Sequence, residues 1–153
     1  MFKLSTGFKA GLRALTILAR QSPKTPISIS EMTPELGVSD KYLEQLLMAL
    51  RRAGLVRSVR GANGGFALAR EATKITVLEI MTALGGPIEF CDCDAKDCRD
   101  CVRPEIWDAL ELSISASLGT ITLYHLASQD PFQVMAHSVV LPDSPLWQEG
   151  AGI

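Results

Sequence analysis

Two helical stretches separated by three residues, followed at once by a β-branched run that meets clustered glycines, confine this chain to few folds. Ser28 and Glu31 in SISE have the spacing of a capping box, so a short helix is expected from there to Gly37. Pro34 inside it is expected to shorten or kink it. Ser39 can cap the next helix, which runs to about Ala53 with Leu43, Leu46, Leu47 and Leu50 on its buried side and Gly54 as its terminator. The turn Gly37-Val38-Ser39 between them has helix-turn-helix spacing. VRSV, RGANGG and FALA then spell a hairpin whose tip is set by Gly61, Gly64 and Gly65. Helix, tight turn, helix and hairpin in this order describe a winged helix.

The flanks fit that reading. Residues 4–20 form a first helix by period, with Leu4, Phe8, Leu12, Leu15 and Ala19 on one side, and QSPKTP is a loop. After the hairpin, Thr76 and Glu79 make a second capping box for a helix ending at Gly85. Pro104 suits a first helical position, and Ile106, Trp107, Leu110, Ile114 and Leu118 mark one apolar side of a helix of about four turns. A short helix capped by Thr120 is expected over YHLA. The long helix stands beyond the winged helix without a partner in the chain, so a second copy is expected to cover it. The fold class is mainly α with a small β-hairpin wing: a winged helix-turn-helix plus a long dimerisation helix. The expected division is a DNA-binding domain over 1–85, a cysteine-rich loop over 86–103, a dimerisation region over 104–128 and a tail over 129–153.

Composition describes a globular chain: 153 residues, 47% hydrophobic and 21% charged, a balance that excludes extended disorder. No apolar run approaches the roughly 20 residues that span a bilayer. The basic residues scattered through MFKLSTGFKAGLRALTILAR do not make a signal peptide, so the expected location is the cytoplasm, away from membranes. The net charge of −2 argues at first against a nucleic-acid partner. Resolved along the chain it does the opposite. Residues 1–70 hold eleven basic and four acidic residues, a charge of +7; residues 71–153 hold four and thirteen, a charge of −9. A basic first half suggests a polyanion-binding module joined to a part with another task.

The surface suited to DNA is the polar side and first turn of the third helix: Asp40, Lys41, Tyr42, Glu44, Gln45 and Arg52, behind the Ser39 cap. Set in a major groove, Lys41 can reach guanine acceptors, Gln45 an adenine and Glu44 a cytosine amino group. Arg57 and Arg60 on the wing can reach phosphates or a narrow minor groove. Any one of these residues could equally be a solvated position. Their combination on a +7 module favours double-stranded DNA.

All four cysteines fall within eleven residues, Cys91, Cys93, Cys98 and Cys101, in the pattern C-x-C-x4-C-x2-C. Disulfides are disfavoured by a reducing cytosol and by the very short loops they would close. Four thiolates suit Zn²⁺ and an iron–sulfur cluster alike, and spacing does not choose between them. Glu89, Asp92, Asp94, Asp97 and Asp100 put negative charge beside the site, which would hold a redox cluster at low potential. His125 and His137, the sole histidines, are read as structural or exposed. No Ser/His/Asp arrangement, P-loop or paired-carboxylate motif occurs, so the chain is not read as an enzyme. An electron-transfer or cluster-delivery protein remains an alternative, against which the arginine-bearing wing argues.

The segments KLSTGFKAGLRALTILAR, SDKYLEQLLMALRRAGLVRSVRGANGGFALAR and ITVLEIMTALGGPI, with a cysteine loop ending C-x5-W, closely resemble the Rrf-two (Rrf2) family of bacterial transcription regulators, in its iron–sulfur-binding type, over roughly residues 2–127. The resemblance implies a homodimeric winged-helix repressor or activator whose helix over about 104–118 forms the dimer interface. It also implies a roughly palindromic operator read by two recognition helices about one DNA turn apart. The family's base-reading positions fall on Lys41, Glu44, Gln45 and Arg60, with Lys41 standing where some relatives carry a small residue. Cluster-bearing members use three cysteines; Cys101, six residues before Trp107, matches the last and Cys91 the first, whereas Cys93 and Cys98 depart from the usual spacing. Positions that supply a fourth ligand in relatives hold Pro104 and Lys9, so the extra cysteine implies an all-cysteine site in one subunit. The cofactor expected from the resemblance is a 2Fe-2S or 4Fe-4S cluster, with zinc as the alternative, sensing iron–sulfur status, redox state or nitric oxide.

Overall fold

The computed structural model describes residues 5–21, 25–61, 63–88 and 104–128, the last stretch with side chains from Ile106 onward. Leu4, the cysteine loop, His137 and the tail from Gln129 lie outside the described residues. Helix α1 is Thr6–Arg20, α2 is Ile29–Leu36 and α3 is Asp40–Arg52; strands β1, Val56–Val59, and β2, Gly65–Leu68, follow. A 3-10 turn, Ala72–Lys74, leads to α4, Val77–Gly85; then come α5, Pro104–Thr120, and α6, Leu123–Ala127.

Local chemistry accounts for the boundaries. Ser5 accepts from the Phe8 N–H at 3.1 Å and opens α1. The Glu31 carboxylate accepts from the Ser28 N–H at 2.7 Å, as the capping-box spacing predicts. Gly37 takes the left-handed backbone, φ 66°, that ends α2 and turns the chain into α3. Pro34 does not shorten α2, which runs two residues past it. It stands in the last turn, where its missing N–H removes a single helical bond.

The core is built from the inner sides of α1 to α4. Leu15, Met32, Leu43, Leu47, Leu50 and Ile80 are completely buried, and Leu55, Val56 and Leu68 seal the base of the hairpin. In the hairpin Val56 pairs with Leu68, Arg57 with Ala67, Ser58 with Phe66 and Val59 with Gly65. The wing is also tied back to the start of α2. Ile27 N–H donates to Phe66 O at 2.9 Å, and Phe66 N–H to Ile27 O at 2.8 Å. A side chain at Gly65 would place Cβ 2.3 Å from Ile27 O, so only glycine allows this approach.

The end of α5 is stitched to the same body through main chain. Val77 N–H donates to Ile121 O, and Leu123 N–H to Ile75 O, both at 2.8 Å. Thr120 was expected to cap the last helix; instead its hydroxyl donates to Ser117 O at 2.8 Å and closes α5, and Thr122 occupies the cap of α6. The stitching explains the two-residue shift, because Thr122 must stay extended to bridge Thr76 before α6 can begin.

Candidate nucleic-acid interface

Ser39 starts α3 by accepting from the Tyr42 N–H at 3.3 Å. Leu43, Leu47 and Leu50 sink one side of the helix into the core, which fixes its rotation and turns Lys41, Glu44, Gln45 and Arg52 outward, all exposed. Spaced three, four and seven residues apart, they share one side of the helix. The partial positive charge of the helix N-terminus adds to Lys41 at the end that leads. Tyr42 faces differently. It is half-buried, and a Cβ on Gly7 of α1 would lie 3.1 Å from its hydroxyl, so its ring serves the α1–α3 contact.

On the wing, Arg57 projects from β1 and Arg60 follows its end, both exposed. Arg51, which the sequence reading passed over, joins the two parts: its Nη1 donates to Ser58 Oγ at 3.3 Å, linking the last turn of α3 to β1. The structure thus gathers Lys41, Glu44, Gln45 and Arg52 on one helical side and fixes Arg57 and Arg60 to the same helix. No motif signals the Arg51 bond, since it depends on the register of a hairpin seven residues away.

The junction towards α5 is held by charge and by main chain. Arg70 Nη2 pairs with Glu79 Oε1 at 2.9 Å, and Thr76 N–H donates to Glu79 Oε2 at 2.9 Å. Partial burial pushes the Glu79 carboxyl up, but the Thr76 N–H, Arg70 and the Thr76 hydroxyl outweigh it and hold the carboxyl below the ordinary range. His125 Nδ1 accepts from the Thr122 N–H at 3.2 Å, the structural role expected of it. Among the described residues no group of three or more His, Cys, Asp or Glu side chains could hold a metal. Cys91, Cys93, Cys98 and Cys101 lie outside those residues, between α4 and α5. By chemistry, four thiols fit a soft metal or an iron–sulfur cluster. No helix among the described residues is long and apolar enough to cross a membrane.

The family model for Rrf2, described as an iron-dependent transcriptional regulator, matches residues 4–129. The chain belongs to the Rrf2 family. It is similar to the HTH-type transcriptional regulator IscR of Vibrio atlanticus (strain LGP32), with 35% identity over 128 residues, 81% of this chain and 74% of that one. Among solved structures it resembles CymR (YrzC), the global cysteine regulator of B. subtilis, with a TM-score of 0.69 and 35% identity over 83% of this chain and 97% of that one. T. potens IscR matches with a TM-score of 0.63 and 33% identity over 95% and 96%. This Rrf2 protein is therefore a DNA-binding, winged-helix transcription regulator, a non-enzymatic role. The electron-transfer alternative falls with that membership.

Proposed function

We propose that this Rrf2 regulator works as a homodimer that reads a roughly palindromic operator, with affinity set by an iron–sulfur cluster on Cys91, Cys93, Cys98 and Cys101. The single observation that carries the reading is where the cysteine segment sits. It joins α4, which packs against α1 and α3, to α5, whose Ile106, Trp107, Leu110 and Leu112 are exposed on the single chain. Apolar surface of that extent asks for a partner, and a second copy supplies one with matching symmetry. In this reading Lys41, Glu44, Gln45 and Arg60 meet bases, Arg52 and Arg57 meet phosphates, Ser39 holds the leading turn and Tyr42 braces it. The division into a DNA-binding domain over 1–85, a cysteine loop, a dimerisation region over 104–128 and a tail belongs to the same proposal. A bound cluster would supply a group that gains, loses or changes its oxidation state with cellular conditions. The cysteines would hold it; α4 and α5 would pass a change in their loop to the two recognition helices.

Anaerobically purified protein should show visible absorption, with iron and sulfide in stoichiometric amounts. Zinc without iron or sulfide would replace the cluster by a structural metal, the second reading that four thiols support. Neither metal nor sulfide, with operator binding that follows reversible thiol oxidation, would make the protein a thiol switch.

A further inference from the structure

We infer that Arg13 is a positioning residue for operator recognition, clamping the end of α2 to α1 and so fixing the angle at which α3 is presented. Arg13 stands on the exposed flank of α1, whose other side, with Ala14, Leu15 and Leu18, is buried in the core. Its Nη2 donates to Glu35 O at 2.6 Å and its Nη1 to Leu36 O at 3.3 Å. The last carbonyls of a helix lack intrahelical partners and carry partial negative charge. Gly37 N–H closes on Thr33 O at 2.9 Å, and the two carbonyls that follow Thr33 and Pro34 go to Arg13. A guanidinium engages two acceptors at once in a fixed fork, which a lysine ammonium does not reproduce.

Placement gives the clamp its consequence. Glu35 and Leu36 immediately precede Gly37, where the left-handed backbone begins the three-residue turn into α3. A pivot of α3 about its first turn loads the two peptide groups that Arg13 holds, beside the direct packing of α3 on α1. On the far side of the same turn, the absence of a side chain at Gly7 leaves room for the Tyr42 hydroxyl, 3.1 Å from where a Cβ would stand, so α1 also meets the first turn of α3 closely. Base-edge hydrogen bonds are directional and carry the sequence information, whereas phosphate contacts carry none directly. Loosening the clamp therefore costs recognition more than it costs general attraction to DNA. The inference rests on the proposed role of α3 as the base-reading helix.

The test uses the full chain and a duplex selected from a random-sequence pool by the native protein, with a scrambled duplex as control. Arg13→Ala should bind the selected duplex about tenfold more weakly, equivalent to about 1.4 kcal/mol and within reach of one hydrogen bond to a charged group. Arg13→Lys, which keeps the charge, should lose most of the same factor while holding the scrambled duplex like the native protein. In both variants amide exchange at Gly37, Val38 and Ser39 should quicken, with the amides of α1 unchanged. Native-like binding by Arg13→Lys, with both duplexes weakened alike by Arg13→Ala, would make Arg13 a phosphate contact and overturn the clamp. So would a lower melting temperature with unchanged affinity per folded molecule. A pool from which the native protein enriches no sequence would overturn the recognition reading itself, and the inference with it.

Discussion

Helices α3 and α5 each carry apolar residues at helical spacing, sharply one-sided in α3 and more spread in α5, and they meet opposite fates. In α3 Leu43, Leu47 and Leu50 are wholly buried within the chain. In α5 Ile106 is 55% exposed and Leu112 73%, and contact with the core is made near its end by Leu118. The winged region closes its own core; the first turns of α5 stay exposed among the described residues, and in the proposed function a second copy covers them. Apolar period alone does not distinguish the two cases, because it records that a side must be buried and not by whom.

The largest effect should fall on the closed side of this comparison. Leu47→Ala removes a completely buried side chain and should cost about 2–5 kcal/mol in denaturant unfolding, whereas Ile106→Ala should cost less than about 0.5 kcal/mol in dilute protein. The Ile106 penalty should then grow with protein concentration as a partner covers α5. Equal costs at high dilution would break the contrast. Next, Gly65→Ala forces Cβ against Ile27 O and Ser28 N, both backbone, and should destabilise by about 1–3 kcal/mol. Faster exchange of the Ile27 and Phe66 amides would show the wing parting from α2.

Ser39→Ala removes the cap of α3 and should cost about 1 kcal/mol, read from the same unfolding curves. The smallest effect concerns pH. Because the folded Glu79 carboxyl lies below its ordinary value of 4.5, its contribution is present above that value and is lost as pH falls through the folded one. Glu79→Gln should flatten the acid limb of the stability profile slightly, since both partners of the Arg70 pair are more than one-third exposed and screened by water. An unchanged acid limb would show the pair to be idle.

Much of the winged region was legible because its signals are local. Ser28, Ser39 and Thr76 announce their helices within three residues, Gly37 ends one by its backbone, and the glycines of RGANGG mark the hairpin. What escaped depends on chain segments far apart. The fork of Arg13 onto α2 and the single bond of Arg51 to Ser58 have no periodic signature, and the Ile27 bridge that demands Gly65 appears only once the wing is folded back. The shift of the last cap from Thr120 to Thr122 has the same origin, main-chain pairing with residues 75–77. Leu112 lies off the predicted stripe of α5, so the apolar surface there is broader than the period suggested. The exposed candidates Lys41, Glu44, Gln45 and Arg52 follow from residue type and helix phase, and Arg57 and Arg60 from their place on the hairpin. Tyr42 was grouped with them because phase does not reveal that Gly7 leaves room for its ring.

In the proposed function the state of the cysteine loop is coupled to the fit of the two recognition helices. Operator affinity measured by mobility shift on anaerobic protein, for cluster-loaded, cluster-free and Cys101→Ala forms, tests it most directly. The loaded form should differ from the other two by about tenfold or more, a coupling of at least 1.4 kcal/mol. Identical affinities in all three would contradict it.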